Sequence, residues 1–585
     1  MLSWRWLIAM VWLQGQAIAG IVWQPVMDYR LNFPRDNPGA APVINSFENF
    51  TYLGTDFGWM GPGEARIESK NGTLRIKPDG EWTGLWHSLA GLAAESAREL
   101  DPTDMVGLGG APQLKAPITA VTLDVRGKGD IRIELADVTR KAVWERKLTL
   151  TPGETTRQRF ELQAADLGRL KFINWIVEPG CEAEISSLGF EVNRPEIEPE
   201  AWAFRVSLGK LRRCHDPLTG LTRDRAHVPP GIFDSVASSG MHALASAAAV
   251  QEGLLEREMV VAEIRRTTDV ILSLPKAAGF LPHFTTRRVD GSPWIHPGTE
   301  FSTVDTAIAL HGLRLSARIL NLPDVGDAVD AAIRGLDFDR LTNEEGWISH
   351  GVAEDGKTPL VGQWRDWGGE TALVLALESM VPDRVPRGRM EPGGEVFRGV
   401  QFIAEIQSLF YPDFDKSEPD RMVGTVWPQS RGALLTRQVS YVNEQWPGSP
   451  AAVAGIFGIS AGEAGMPGVG YVANGVDIPG VRWIHPHAMV MGLALSGGNT
   501  FAGGIQRLEE AGLLVPQGLP ENVEVGMELR NPMQGSLNAA FEALASYHGW
   551  RRAKGAADVI DQACLNDPLM RKGAARFYKL MEGAP

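Results

Sequence analysis

The segment NRPEIEPE, residues 193–200, separates two parts of the chain that differ in hydrophobic pattern. Before it, apolar and polar residues alternate with period two in short runs, which include ITAVTLDV (118–125) and DIRIEL (130–135), and Gly, Pro and Thr turns separate them. After it, apolar residues recur at the spacing of helices. The charged, proline-containing segment itself predicts a linker.

Each part predicts its own fold. Short, regularly spaced strands indicate an antiparallel β-sandwich of jelly-roll type in residues 20–195. Long loops in a compact domain commonly carry function, so the helical part predicts a toroid with a site built by its loops at one end. We therefore expect a linker at 196–204 and a helical domain at 205–585. The helical pattern covers residues 236–255, 258–274, 302–320, 370–380, 395–410, 430–443, 486–495, 503–514 and 534–550.

Residues 1–19 have the pattern of a secretory signal peptide. Arg5 precedes the apolar run LIAMVWL (7–13), and Ala17-Ile18-Ala19 follows as a small-x-small cleavage site. The run is shorter than the roughly 20 apolar residues that span a bilayer. We expect a periplasmic or secreted chain that starts near Gly20 and has no integral membrane segment. A buried N-terminal helix is the alternative.

The composition is that of a globular protein, since 44% of the 585 residues are hydrophobic and 22% are charged. The net charge of -14 and the lack of a basic stripe argue against a nucleic-acid partner. The chain has 18 Trp against 7 Tyr, which suits either sugar stacking or the filling of a large core. Three widely spaced cysteines exclude a disulfide framework.

Two short motifs carry little weight. GISAG (458–462) matches the GxSxG pattern of serine hydrolases, but EAGMPG follows it where a nucleophile elbow needs a helix. His485 and His487 would need a third ligand to form a metal site, and none lies at a useful spacing. Packing or sugar contact is the favoured interpretation of these histidines. We predict neither a metal ion nor an organic cofactor.

The block EFSTVDTA (300–307) places two acidic residues at the start of a predicted helix. Ser302 is a good N-cap, and Asp305 lies three residues later in a capping-box arrangement, which favours a structural role for Asp305. Glu300 falls in the loop before the helix. Its carboxylate there faces either a cleft or the solvent, and the spacing alone favours the solvent.

A second acidic residue opens the next helix, in WRDWGGE (364–370). The positive end of a helix dipole lowers the pKa of a carboxyl group in the first turn, as Glu370 would be. A general acid needs a raised pKa, which apolar surroundings produce. Trp364 and Trp367 could supply such surroundings. The two effects oppose each other at Glu370.

Five blocks of the chain carry a resemblance to known proteins: DPLTGLTRD (216–224), GFLPHF (279–284), EFSTVDTA (300–307), GGETA (368–372) and QGS (534–536). They resemble the glycoamylase-like family, which includes bacterial endo-β-1,2-glucanases. The similarity spans residues 205–550 and is most specific at 300–307. It implies an (α/α)6 barrel and an inverting glycoside hydrolase, with Glu370 as the general acid and Glu300 as a second essential carboxylate in the substrate cleft.

The chain departs from the family pattern near its C-terminus. Met533 stands where the family often has the Asp of Asp-Gln-Gly-Pro, and GLPE (518–521) stands where the glucanases usually have Gly-Phe-x-Asp. Glu521 is therefore our first candidate for the general base, and Glu463 is the second. The departures also leave the β-1,2 linkage open.

These observations predict an exported hydrolase of a β-glucan, either β-1,2-glucan or another bacterial polysaccharide. A transglycosylase and a non-catalytic glycan-binding or assembly protein on the same barrel are the alternatives. The N-terminal domain is either a carbohydrate-binding module or a structural brace. Each candidate Trp is equally suited to the core. The candidate substrate-binding residues are His283, Trp294, His296, Asp305, Trp364, Trp367, Trp427 and Trp483.

Overall fold

The computed structural model describes residues 21–23, 57–70, 73–88, 99–224, 233–288, 290–463, 471–527, 530–531 and 535–579. The predicted signal peptide, residues 1–19, lies outside this range. The chain forms two compact units. The first comprises Met1–Ile197 with Val515–Gln517, and the second comprises Glu198–Leu514 with Gly518–Pro585.

The described part of the first unit is built on one antiparallel sheet of ten strands. Side chains on alternate positions of its strands, such as Leu123, Val125 and Ile133, are fully buried. The strands are β1 (Ile21–Trp23), β2 (Phe57–Met60), β3 (Glu64–Lys70), β4 (Thr73–Asp79), β5 (Thr83–Ser88), β6 (Ile118–Ala136), β7 (Ala142–Leu150), β8 (Thr155–Glu161), β9 (Phe172–Val177) and β10 (Glu182–Val192).

Strand β6 joins two sets of neighbours. Its first half pairs with β8 and β10, and its second half pairs with β7 and β9. The change falls at Gly127 and Gly129, which both have positive φ, and a Cβ at Gly127 would lie 1.8 Å from the carbonyl oxygen of Glu182. The two runs predicted as separate strands are therefore one strand, which glycine allows to change partners. The sandwich arrangement stays a prediction.

The second unit is mainly helical, with short two-, three- and four-stranded sheets between the helices. Its helices in the described ranges are α1 (Pro199–Cys214), α2 (Val236–Gln251), α3 (Arg257–Ser273), α4 (Thr303–Leu320), α5 (Pro323–Arg334), α6 (Gly369–Met380), α7 (Gln401–Glu405), α8 (Trp427–Gln445), α9 (Pro450–Ala454), α10 (Pro486–Ser496), α11 (Phe501–Glu510), α12 (Ser536–Ala553), α13 (Val559–Leu565) and α14 (Pro568–Ala574). Its strands there are β11 (Thr222–Arg223), β12 (Asp234–Ser235), β13 (Phe284–Arg287), β14 (Pro293–Ile295), β15 (Phe301–Ser302), β16 (Ile348–Ser349), β17 (Gly351–Val352), β18 (Gln363–Trp364), β19 (Ala461–Glu463), β20 (Tyr471–Ala473), β21 (Trp483–Ile484), β22 (Asn522–Glu524) and β23 (Arg530–Asn531).

Six helices, which we call the ring helices, pack against one another in a closed cycle: α2, α4, α6, α7, α10 and α12. Nearly all their residues are buried, as expected for helices that are apolar or small on every side. Small residues set the spacing between α2 and α4. A Cβ at Gly240 would lie 2.5 Å from Cα of Ala309, and one at Gly312 would lie 2.3 Å from the carbonyl oxygen of Gly240.

The predicted linker is partly wrong, because helix α1 begins at Pro199, inside residues 196–204. Proline is well suited to the first helical position, where its missing N–H costs nothing. The single helix expected at residues 395–410 is also wrong. Arg398 and Gly399 have positive φ, so a turn at Phe397–Gly399 precedes α7. In the ranges that the structure describes, no helix combines the length and apolarity needed to cross a membrane.

Candidate active site

A cavity of about 460 Å³ opens near the N-terminal ends of five ring helices, α2, α4, α6, α7 and α12. The cavity therefore lies at one end of the helical unit, which is where the sequence pattern predicts a site built by loops. The cavity is lined by five carboxylates, two histidines, six aromatic rings and smaller side chains: Asp224, Phe233, Ser235, His283, Phe284, Glu300, Ser302, Val304, Asp305, Ile308, His350, Trp364, Glu370, Phe402, Ile406, Tyr471, Glu521, Gly535, Leu537, Asn538 and Phe541.

Two glycines place Glu370 in the wall of the cavity. A Cβ at Gly369 would lie 2.1 Å from Oε1 of Gln407 and 2.6 Å from Cγ2 of Ile406, and one at Gly368 would lie 2.7 Å from Cγ2 of Ile403. Only glycine therefore lets the start of α6 approach the chain around α7 this closely. The approach sets Glu370, the second residue of α6, beside apolar side chains.

The helix dipole and burial shift the pKa of Glu370 in opposite directions, and in these surroundings the effect of burial is the larger one. Burial and, second to it, the negative charge of Asp305 raise the pKa of Glu370, His283 lowers it, and the pKa is about 7 as a result. The side chain is half-buried and lines the cavity. A carboxyl group with a pKa in this range can carry a proton near neutral pH and deliver it to a bound molecule.

Glu300 lies in the opposite electrostatic situation. Its Oε1 is 2.8 Å from Nδ1 of His283, whose Nε2 is 3.5 Å from Oδ1 of Asp305. The hydrogen bond from His283 lowers the pKa of Glu300, although burial raises it. Burial alone would lower the pKa of His283, but the charge of Asp305 and the hydrogen bond and charge of Glu300 raise it to about 9. Glu300 is therefore an ionised carboxylate in the same cavity.

Ser302 caps α4 as predicted, since its Oγ accepts a hydrogen bond from the backbone N–H of Asp305 at 3.2 Å. The carboxylate of Asp305 also faces His283 and lines the cavity. Burial raises the pKa of Asp305, while His283 lowers it. The helix start thus presents a carboxylate to the cavity as well as a cap.

Glu521 lines the cavity from the chain before β22, with only 1% of its surface exposed. Its Oε1 accepts a hydrogen bond of 2.7 Å from Nδ2 of Asn538, in the first turn of α12. Gly462 leaves room for this arrangement, because a Cβ there would lie 2.6 Å from Nε2 of His485 and 2.9 Å from Oε1 of Glu521. The side chain of Glu463, the second candidate base, lies outside the described side chains.

Aromatic side chains form the less polar part of the wall. Nε1 of Trp364 donates to Oγ1 of Thr303 at 2.7 Å, and the ring packs on His350 with centroids 4.2 Å apart. Phe233 contacts Phe284 edge-on at 4.8 Å. Rings held in this way are suited to the apolar faces of a sugar.

Two of the predicted sugar contacts are wrong. Trp427 is 0% exposed and Trp367 is 3% exposed, and their rings pack together with centroids 4.3 Å apart. Nε1 of Trp427 donates to Asp420 at 3.0 Å. Both tryptophans are core residues, because a buried ring has no face to offer a ligand. Trp427 is the first residue of α8, and its ring is buried in the core.

Three further candidates lie away from the cavity lining. Trp294 on β14 is 41% exposed, and the guanidinium of Arg288 covers its ring at 3.6 Å. The ring centroid of His296 lies 5.2 Å from that of Phe233, which itself lines the cavity. Trp483 is half-buried on β21. These positions contact a ligand only if it extends beyond the cavity.

Sequence reasoning missed several lining residues. Asp224 ends one of the five resembling blocks, so that block was a usable signal. His350 and Tyr471 gave no signal, because a lone polar or aromatic residue between helices has no periodic context. Asn538 lies in the predicted helix 534–550, where the pattern does not distinguish one polar residue from another. Tyr471 is 45% exposed at the mouth of the cavity.

In the part of the chain that the structure describes, one group of side chains is close enough to share a metal ion: His548, Asp558 and Asp561. It does not line the cavity. Nδ1 of His548 is 2.6 Å from Oδ2 of Asp558, and Asp558 caps α13 by accepting two backbone N–H bonds. Burial would lower the pKa of His548, but Asp558 raises it to about 9. His548 and Asp558 form a buried ion pair at the start of α13, and Asp561 lies in the first turn of the same helix.

Solved structures with this fold are known. The similarity to a β-1,2-glucanase from Parabacteroides distasonis covers 95% of this chain and 99% of that one, with a TM-score of 0.57 and 10% identity. An endo-β-1,2-glucanase from Chitinophaga pinensis, in complex with sophorotriose and glucose, matches 66% of this chain and 99% of its own at a TM-score of 0.53 and 11% identity. A proposed glucoamylase from Bacteroides caccae matches 65% and 98% at a TM-score of 0.53 and 14% identity.

The fold is that of the proteins that the sequence motifs resemble. No protein-family model and no curated protein matches the sequence. At identities of 10–14% these likenesses concern the fold alone. The reaction has to be inferred from the cavity.

Proposed function

We propose that this protein is a glycoside hydrolase that cleaves a β-glucan. The observation that carries the proposal is a cavity in which burial raises the pKa of Glu370 while a hydrogen bond from His283 lowers the pKa of Glu300. Enzymatic cleavage of a glycosidic bond requires one carboxylic acid and one carboxylate on opposite sides of the bond. The likeness in fold to β-1,2-glucanases makes β-1,2-glucan the first substrate to test.

In the proposed mechanism Glu370 donates its proton to the oxygen of the leaving sugar. Glu521 accepts a proton from a water molecule, which attacks the anomeric carbon from the opposite face. The anomeric configuration inverts, which needs carboxyl groups roughly 6.5–9.5 Å apart. The hydrogen bond from Nδ2 of Asn538 holds Oε1 of Glu521 in place. Glu300 accepts hydrogen bonds from sugar hydroxyl groups as an ionised carboxylate.

The proposal extends to architecture and location. The closed cycle of ring helices supports an (α/α)6 toroid, and the two sets of strands that meet on β6 support a sandwich. Of the residues expected from the sequence to bind substrate, His283, Asp305 and Trp364 line the cavity. Asp305 and Trp364 remain the proposed substrate contacts. Export through the predicted signal peptide would bring the enzyme to a periplasmic or extracellular polysaccharide.

A product analysis tests the function. The purified protein is incubated with β-1,2-, β-1,3-, β-1,4- and β-1,6-glucans, and reducing ends, chain lengths and the anomeric form of the first product are followed by NMR. We expect new reducing ends from one glucan, first in the α-anomer. Redistribution of chain lengths without new reducing ends would identify a transglycosylase, and binding without any product would identify a glycan-binding protein. Both outcomes contradict the proposal.

A further inference from the structure

His283 is held between two carboxylates, one at each ring nitrogen. Nδ1 lies 2.8 Å from Oε1 of Glu300, and Nε2 lies 3.5 Å from Oδ1 of Asp305. The backbone N–H of His283 donates to the carbonyl oxygen of Glu300 at 2.9 Å. The ring also stacks on Phe284, with centroids 3.7 Å apart. The imidazole therefore has a fixed position and orientation.

This geometry favours the charged form of the ring. Nδ1 is within hydrogen-bond distance of Glu300, and Nε2 lies at ion-pair distance from Asp305. A neutral imidazole has one N–H and one lone pair, so it turns a lone pair towards one of the two carboxyl groups, whereas an imidazolium presents an N–H to each of them. The hydrogen bond between an imidazolium and Glu300 is charge-assisted and therefore stronger than a neutral one.

We propose that His283 is an imidazolium at neutral pH that bridges Glu300 and Asp305, and that its charge weakens the hold of Glu370, which lines the same cavity, on its proton. The second half of this proposal rests on the proposed function, because it concerns the general acid. His283 acts through the three carboxylates, so it is a positioning residue of the site. This function is distinct from the sugar contact expected from the sequence.

The charges around His283 agree with this assignment. Asp305 on α4, Glu300 before β15 and Asp224 after β11 all raise the pKa of His283 against the effect of its burial. Glu370 on α6 is the fourth carboxyl group that interacts with the ring, and His283 lowers its pKa. His350, whose pKa is itself lowered by burial, interacts with Glu300 from the facing loop.

The direction of the effect follows from these interactions. Removing the cation removes the interaction that favours ionised Glu370, so the pKa of Glu370 rises. It also removes the hydrogen bond and charge that keep Glu300 ionised, so the pKa of Glu300 rises as well, which weakens its contacts with sugar hydroxyl groups. The alkaline limb of the pH–rate profile of His283→Gln, which reports Glu370, should therefore move to higher pH, by about one unit, since a nearby opposite charge shifts a pKa by about 1–3 units and burial, the larger cause of the raised pKa of Glu370, is unchanged.

The first half of the proposal is tested without any assay of activity. Deuterated protein with 13C- and 15N-labelled histidines is titrated by NMR, and the signal that disappears in His283→Gln or His283→Asn is assigned to His283. We expect its midpoint near pH 9 and a fall of one unit or more in Glu300→Gln. A midpoint at or below pH 6.5 overturns the proposal, whatever the protein does to glucans.

The second half is tested with the glucan that the product analysis identifies. The pH dependence of kcat/KM is measured for wild-type protein, His283→Gln and His283→Lys, with cooperative melts to show that each variant is folded. We expect an upward shift of the alkaline limb in His283→Gln and wild-type limbs in His283→Lys, which keeps the charge. A raised KM with unmoved limbs in His283→Gln would mean a sugar contact, and a lowered kcat with unmoved limbs would mean a structural role. Either result overturns the proposal.

Discussion

The starts of α4 and α6 hold two carboxyl groups in one cavity, and the protein gives them opposite protonation states. Glu300 precedes α4, where His283 lowers its pKa. Glu370 lies in the first turn of α6, where burial raises its pKa to about 7. Both lie at helix N-termini, which favour the ionised form. The neighbours therefore decide the charge, and the helix dipole does not.

The difference arises from the side chains that each helix start allows to approach. The block at α4 brings an imidazole within 2.8 Å of the carboxylate. The glycines at α6 let Ile403 and Ile406 pack against the helix start, and the burial that results raises the pKa of Glu370. An ionised and a protonated carboxyl group in one cavity are what acid–base cleavage of a glycoside requires.

The largest expected effect comes from removing the transferable proton of Glu370, at the start of α6. Glu370→Gln keeps the size of the side chain and takes away the transferable proton, so kcat should fall by about 10²–10⁴-fold while KM changes little. The alkaline limb of the pH–rate profile, which the wild-type enzyme should show near pH 7, should vanish, because that limb reports deprotonation of Glu370. Steady-state kinetics on the identified glucan measure both.

Glu258→Gln is the matched control for this change. Glu258 also lies in the first turn of a helix, α3, but it is exposed and outside the cavity lining. Its loss should cost the helix about 0.3–1 kcal/mol and leave kcat unchanged. If Glu370→Gln behaves as Glu258→Gln does, with a lowered melting temperature and wild-type turnover, Glu370 is not the general acid.

The second effect comes from displacing the start of α6 without changing its carboxyl group. In Gly369→Ala the new methyl group meets Gln407, Ile406 and the carbonyl oxygen of Ile403 within 3 Å, so the helix start must move. Overpacking of this kind costs about 1–3 kcal/mol of unfolding free energy, and a shift of about 1 Å at a reacting group can cost 10²-fold in rate. Urea unfolding and kcat are measured together.

Gly432→Ala provides the contrast, because a Cβ at this position in α8 meets nothing within 4 Å. Alanine is the better helix former by about 1 kcal/mol, so this variant should be more stable and equally active. A Gly369→Ala enzyme with wild-type stability and rate would show that the close approach at α6 does not determine the position of Glu370.

The placement of both carboxyl groups could be predicted from the sequence, but their charges could not. The cap at Ser302 and the resembling blocks brought Glu300 and Glu370 to one site although they are 70 positions apart. The approach of Ile403 and Ile406 to α6 is a tertiary contact and leaves no periodic signal. The rule for first-turn carboxylates therefore pointed the wrong way at Glu370.

The tryptophans were harder still, because the sequence shows their neighbours along the chain and not their surroundings in space. Trp364 and Trp367 lie in the same short block, yet one lines the cavity and the other packs on Trp427 in the core. The expected helix at residues 395–410 failed for a backbone reason. The left-handed conformations of Arg398 and Gly399 override an apolar pattern of helical period.

A smaller effect is expected at Glu521, the third carboxyl group, whose Oε1 accepts a hydrogen bond from the amide of Asn538. Asn538→Ala removes this hydrogen bond, and hydrogen bonds to charged groups are worth about 1.5–3 kcal/mol. The carboxyl group of Glu521 then loses one of the contacts that position it, so kcat should fall about tenfold. Asn443→Ala on α8, where the side-chain amide donates to the carbonyl oxygen of Val439, is the control without a carboxylate. A wild-type kcat in Asn538→Ala would count against Glu521 as the general base.

The smallest effect concerns the hydrogen bond that links the two helix starts. Trp364 precedes α6, and its Nε1 donates to Oγ1 of Thr303, the first residue of α4. Trp364→Phe keeps an aromatic wall and removes this donor, and a neutral hydrogen bond is worth about 0.5–1.5 kcal/mol. Thr303 retains acceptors for its own proton at the carbonyl oxygens of Ser349 and His350, so the fold should persist. We expect kcat/KM to fall about fivefold, mainly through KM, with a nearly unchanged melting temperature.

Trp427→Phe is the control and should have the reverse effect. It should lower the melting temperature through loss of the hydrogen bond to Asp420, while KM stays at its wild-type value. If both variants change only the melting temperature, the ring of Trp364 has the same structural role as that of Trp427. The hydrogen bond between Trp364 and Thr303 would then contribute nothing to substrate binding.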